Sequence, residues 1–151
     1  MSDNALKKIK EWEKLAEQGD AVAQNSLGNL YYEGQGVEQD YEKAFEWWKK
    51  SANNGKGNAK AQYNLGLVYY NGWGVEQNYK QAVYWWEKSA EQGNDEAQND
   101  LGVSYYQGEG VKQDYKKAVY WHMKSARQGH IEAQINLGFM YFKILIQDLY
   151  S

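Results

Sequence analysis

The amino-acid sequence predicts an all-α solenoid of about eight antiparallel helices, and three observations carry that expectation. The first is internal repetition. Residues 23–55 read AQNSLGNLYYEGQGVEQDYEKAFEWWKKSANNG, and the pattern returns at 61–93 and 97–129, a period of 36 to 38 residues. A period of this length marks units that bury their apolar faces only by stacking on a neighbour. The second is apolar spacing. Ala23, Leu27, Leu30 and Tyr31 fall at i, i+4, i+7 and i+8, one face of a helix. The third is punctuation. The chain holds 15 Gly and no Pro, so glycine alone marks the helix ends.

Taken in order, residues 4–18 predict a lone helix. Trp12, Lys14, Ala16 and Gly19 align with Trp48, Lys50, Ala52 and Gly55, so the segment is the second half of a repeat. Its lysines and glutamates suit the polar outer face of a terminal cap. Full repeats are expected at 21–55, 59–93 and 95–129, followed by a half repeat and C-terminal helix at 131–149, all in one domain over 1–151. Within a repeat, helix A ends at Gly34, where a left-handed residue is needed. Val37, Val75 and Val111 are the recurring apolar linker residues and are expected to plug the end of the helix pair. Helix B opens at Asp40, Asn78 or Asp114, side chains that accept the free N–H groups of a first turn.

Gly28, Gly66, Gly102 and Gly138 sit inside helix A, where glycine costs about 1 kcal/mol against alanine. Close approach of helix B, with a bulky ring over the missing Cβ, is the expected compensation. Two extra residues in NGKGNAKAQ (54–62) lengthen one turn, where a slight change of stacking is expected. The third unit carries His122 at its second Trp position. After Phe142 the pattern stops, and Ile144, Leu145, Ile146 and Leu149 continue an apolar pattern with no linker. The preferred reading is a longer final helix covering the last repeat. The alternatives are docking of another chain, self-association included, and a reading frame cut short.

Composition bounds the function. The apolar share of 42% and charged share of 25% are ordinary for a folded protein. A net charge of −3 argues against nucleic acid, which wants a clustered basic face. The absence of Cys removes disulfides and thiolate chemistry. His122 and His130 have no zinc-ligand spacing. His122 and Ser125 share a helix, but Ser125 is a repeat position whose equivalents lack the histidine, so it is not read as a nucleophile. No catalytic, cofactor or metal residues are expected. The N-terminus has no apolar signal core and no run reaches a membrane span, so a cytoplasmic protein is expected, or a periplasmic or secreted one if a signal was removed.

The succession Ala23, Gln24, Leu27, Gly28, Tyr31, Gly34, Gly36, Val37, Asp40, Tyr41, Lys43, Ala44, Trp47, Lys50, Ser51, Ala52, Gly55 resembles the Sel-1-like repeat, a relative of the tetratricopeptide repeat. The resemblance covers nearly all of residues 5–142. Asn78, Gln81 and the serines 51, 89 and 125 depart from it. It implies a right-handed α/α superhelix and a non-enzymatic scaffold, usually bacterial, that binds a protein or peptide. Signalling, host interaction or toxin inhibition are the settings it suggests. An accessory protein of cell-envelope metabolism, stacking sugars on exposed aromatics, is the alternative. In such superhelices helix A lines the concave surface, so the expected partner contacts are Asn25, Tyr63, Asn99 and Ile135; Asn29, Leu67, Val103 and Phe139; and Tyr32, Tyr70, Tyr106 and Phe142. The asparagines could clamp a peptide backbone. The aromatic row also reads as framework, because it recurs in every unit. The first two rows differ between units and are the better specificity positions.

Overall fold

A computed structural model describes the backbone of residues 3–150 and the side-chain surroundings of residues 6–143 and Ile146. Among these residues there are eight α-helices and no strand: α1 (Asp3–Glu17), α2 (Ala21–Glu33), α3 (Tyr41–Asn53), α4 (Ala59–Asn71), α5 (Tyr79–Glu91), α6 (Asp95–Gln107), α7 (Tyr115–Arg127) and α8 (Ile131–Tyr150). Helices α2, α4, α6 and α8 are the A halves. Helix α1 is the orphan B half, and α3, α5 and α7 are the B halves. The closest packing joins α2 to α3, α4 to α5 and α6 to α7, and each pair then stacks on the next. Helix α2 also touches α4, which places the A helices on the inner side of the curve.

Side chains at the helix starts set the boundaries. Asp20, Asn58 and Asn94 accept the N–H three residues on, at 2.7, 3.1 and 2.7 Å. Asp40, Asn78 and Asp114 do the same for α3, α5 and α7. Gly34 closes α2 in the left-handed region at φ 68°, its N–H donating to Leu30 O. Val37, Val75 and Val111 each pack against a buried cluster, as expected.

The glycines inside helix A are covered as expected. A Cβ on Gly28 would run into the Trp48 indole, one on Gly66 into Trp86, and one on Gly102 into the His122 ring at 2.7 Å. Ala44, Ala82 and Ala118 are fully buried in the same packing. Each serine that departs from the repeat pattern bonds across the helix pair. Ser51, Ser89 and Ser125 donate to the carbonyls of Ala21, Ala59 and Asp95 at 2.6, 2.7 and 2.7 Å, a bond between the two helices that an alanine could not make.

Neighbouring repeats are joined by glutamine. Gln24, Gln62, Gln98 and Gln134 donate to Ala16, Ala52, Ala90 and Ala126 O. Gln92 and Gln128 then donate to Gln62 and Gln98 Oε1 at 2.8 and 2.9 Å. In the first unit the corresponding residue is Asn54, one methylene shorter. It bonds Gly19 O instead, and Gln24 Oε1 is left without a partner.

Two expectations are modified. The lengthened turn at 54–58 ends on the same acceptor as its shorter counterparts: Asn58 N–H reaches Ser51 O at 3.1 Å, as Asn94 reaches Ser89 O at 3.2 Å. The extra residues are taken up within the turn, through Gly55 and Gly57 at φ 62° and 83°. Helix α8 is a long final helix of 20 residues, but little of its apolar face is covered. Ala133 and Met140 are buried, whereas Ile135, Phe139, Tyr141, Phe142 and Ile146 are exposed, and nothing lies within 4 Å of a Cβ on Gly138. The side chains of Ile144, Leu145 and Leu149 fall outside the described residues.

Candidate functional site

The A helices enclose two adjoining cavities on the inner side of the curve. The first, about 490 Å³, lies between α2, α4 and the start of α6. Asn29, Tyr32, Tyr63 and Leu67 line it, with Trp48, Trp73, Lys60, Asn64, Glu33, Asn94, Asp95 and Glu96. The second, about 320 Å³, lies between α4, α6 and α8, lined by Leu67, Tyr70, Asn71, Trp86, Asp100, Val103, Ser104 and Glu132. Leu67 lines both, so the two cavities adjoin and together run from the first repeat to the start of the fourth.

The helical period explains the composition of the walls. Asn29, Leu67 and Val103 occupy one repeat position, three residues before Tyr32, Tyr70 and Tyr106, and both positions turn to the inner side. The tyrosines are framework and wall at once. Tyr32 packs on Tyr41, Trp48 and Trp73 with ring centroids 5.5, 5.5 and 5.3 Å away. Tyr70 packs on Tyr79 and Trp86 and donates to Glu109 at 3.2 Å.

Of the expected contacts, six reach the groove: Asn29, Tyr32, Tyr63, Leu67, Tyr70 and Val103. Tyr106 lines a separate, mainly apolar cavity of about 380 Å³ with Tyr115, Val119, Met140 and Lys143. Ile135, Phe139 and Phe142 are exposed on α8. Asn25 and Asn99 are the exceptions, being only 7% and 2% exposed. Asn64 donates to Asn29 at 3.1 Å and to Asn25 at 3.5 Å, and Asn136 donates to Asn99 at 3.2 Å. These two asparagines join one A helix to the next rather than facing a peptide, because the following repeat closes over them.

The electrostatics of the groove come from residues outside the expected rows. Asp100 stands where the other units carry Ser26, Asn64 and Asn136, and Glu96 lies one turn before it. Burial raises the Asp100 carboxyl to about 6; Glu132 and Glu96 push the same way, while Tyr63 and Asn99 oppose. Burial also raises the Tyr63 hydroxyl, with the Asp100 charge adding to it. Among the described residues the one ion pair is Lys43–Asp40, on the outer side, so the groove carboxylates have no cationic partner. Lys60 is the single cation lining either cavity. Variation between units at polar positions was the signal that could have picked out Asp100 and Glu96, but Asp100 lies one residue past a chosen row and Glu96 one turn before it.

Trp48 donates its indole N–H to Asn29 at 3.0 Å. In the second unit Leu67 replaces that acceptor, and the buried Trp86 Nε1 has none. His122 takes the ring position in the third unit, and burial holds it neutral by lowering its value to about 4. No group of His, Cys, Asp and Glu among the described residues is arranged to hold a metal. Among them, no helix is long and apolar enough to cross a membrane.

Comparison with known proteins bears on the same features. The Sel1 repeat family matches at residues 21–56, 59–94, 95–130 and 131–143. A protective antigen present in uropathogenic Escherichia coli strains, displaying an SLR fold, is 42% identical with a TM-score of 0.84; the match covers 87% of this chain and 28% of that one. A Sel1 repeat protein from Oxalobacter formigenes is 34% identical with a TM-score of 0.80, over 87% of this chain and 97% of that one. Helicobacter pylori cysteine rich protein B, 23% identical over 83% of this chain and 93% of its own, shares the fold with a TM-score of 0.64. No curated protein matches the chain. Matched in all three full repeats and the start of the fourth, the chain belongs to the Sel1 repeat family.

Proposed function

We propose that this chain is a non-enzymatic interaction scaffold that takes an extended segment of a partner protein into the groove between α2, α4, α6 and α8. Sel1 repeat proteins are generally protein-interaction scaffolds. The observation that carries the reading for this chain is the continuity of the two cavities through Leu67. A groove running from the first repeat to the start of the fourth suits an extended chain better than a compact small molecule, which wants one enclosed pocket. Aromatic walls already fixed by ring packing offer contact area with little ordering cost.

The sugar-stacking alternative has less support. Trp48, Trp85 and Trp86 are buried and the other four tryptophans are half-buried, so the indoles serve packing first, and the exposed rings are tyrosines such as Tyr84, Tyr115 and Tyr120.

The test is selection from a random peptide display library on the whole chain, followed by binding of the enriched peptides to Leu67→Arg. Arginine at the junction of the cavities should weaken them at least tenfold while the variant still melts cooperatively. Enriched peptides that bind the variant equally well would place recognition elsewhere.

A further inference from the structure

The groove is charged in a way the repeat does not require. Its floor between α4, α6 and α8 holds Asp100, with Glu96 one turn away on α6 and Glu132 on α8. Like charges one turn apart weaken a helix, and a desolvated carboxylate weakens a fold. The other units carry neutral Ser26, Asn64 and Asn136 where the third carries Asp100, so stacking does not need the charge. No lysine or arginine lines this cavity to offset it.

A second, uncharged feature of the same wall points to the ligand's other half. Trp86 is 3% exposed and lines the cavity, and its indole N–H has no acceptor. The equivalent N–H in the first unit is taken by Asn29. Leu67 stands where the first unit has that asparagine and lines the same cavity as Trp86, and a carbonyl oxygen entering beside it would supply the missing acceptor.

We infer that the second cavity is a subsite for a basic residue of an extended peptide: the lysine or arginine cation sits against Asp100 and Glu132, and a backbone carbonyl of the same peptide accepts from Trp86 Nε1. The inference rests on the groove reading above and names the chemistry of its occupant. Tyr63 and Tyr70 border the site and give an alkyl stem apolar cover. The raised Asp100 carboxyl fits an acceptor that lacks its cation, since an opposite charge beside it favours the ionised form.

The probe is a short acetylated and amidated alanine-rich peptide with two central arginines, alongside a counterpart with glutamines in their place. Binding to the whole chain is followed by calorimetry and by the Trp86 indole N–H resonance. The arginine peptide is expected to bind roughly tenfold more tightly than the glutamine peptide and to move that resonance. Asp100→Asn combined with Glu132→Gln should erase the preference while leaving the melting temperature unchanged or higher. Glu42→Gln with Glu46→Gln, on the outer helix α3, should leave it intact. Equal binding of the two peptides, or a preference that survives the double change at 100 and 132, overturns the subsite and leaves the library test of the groove standing. A preference lost equally in the α3 variant shows general attraction to an acidic chain and also overturns it. If neither peptide binds, the basic-residue assignment fails, and enrichment of uncharged peptides from the library would still uphold the groove.

Discussion

The first three repeats and the fourth share a helix A with glycine at the same place, yet three of those glycines are covered and one is open. Over Gly28, Gly66 and Gly102 lie Trp48, Trp86 and His122, whereas Gly138 faces empty space. The difference separates two costs of glycine that usually travel together. All four positions bear the helix-propensity loss of about 1 kcal/mol. Only three recover it, because removing a Cβ there lets a ring and two backbones come within contact distance. In the fourth unit helix α8 continues through residue 144, where the others turn at glycine, and among the described residues no ring lies over Gly138.

The comparison is broken most sharply at its centre. Gly66→Val puts two methyls into the Trp86 indole and should cost about 3 kcal/mol or more, lowering the melting temperature by on the order of 10 °C. A melting curve that does not move would refute the seat.

The third unit differs from the first two in both its ring and its carboxylate, and pH should show it. Asp100 is raised from 3.8 to about 6, and His122 is lowered from 6.5 to about 4. As pH falls from 6 to 4, folded Asp100 takes up a proton before the unfolded chain does, which adds stability. Over the same range the unfolded His122 takes up a proton and the folded one does not, which removes stability. The two slopes oppose each other in the native protein. Asp100→Asn leaves the histidine slope alone, so stability should fall by about 2 kcal/mol between pH 6.5 and 4.5, while at pH 7 the variant should be more stable than the parent by a similar amount. Urea titrations at a series of pH values measure both, and a flat profile in the variant would contradict the shielding of His122.

Smaller effects sharpen the contrast between units. Leu67→Asn recreates the acceptor that Asn29 provides to Trp48 and should stabilise by about 1 kcal/mol. A loss of stability instead would mean that Leu67 contributes more as an apolar contact than the bond returns. Gly138→Ala meets nothing within 4 Å and should gain about 0.5–1 kcal/mol from helix propensity alone, visible as a rise of a few degrees in the melting temperature. A fall would reveal a contact on this open face.

Much of this architecture was legible in the residues. The seat over each helix A glycine follows from a penalty repeated in every unit, and the turn residues follow from the backbone conformations they permit. The groove was half legible. Asn29, Tyr32, Tyr63, Leu67, Tyr70 and Val103 lie on it, but Asn25 and Asn99 do not, although they share a row with Tyr63. Successive helical residues point about 100° apart, so a stripe read from spacing is uncertain by one position at its edge. Asp100, one residue past that row, was missed for the same reason.

The sequence by itself determined the number and kind of helices, their ends, and the identity of each packing position, because those depend on local backbone preference and on a period repeated three times over. The tertiary structure decided what surrounds the positions that do not repeat. Whether Asn99 meets solvent or Asn136, whether Trp86 finds an acceptor, and whether Asp100 stays hydrated depend on side chains 37, 19 and 37 residues away in 136, 67 and 63. Helix α8 makes the same point from the other side: its glycine obeys the repeat, and its surroundings among the described residues do not cover it.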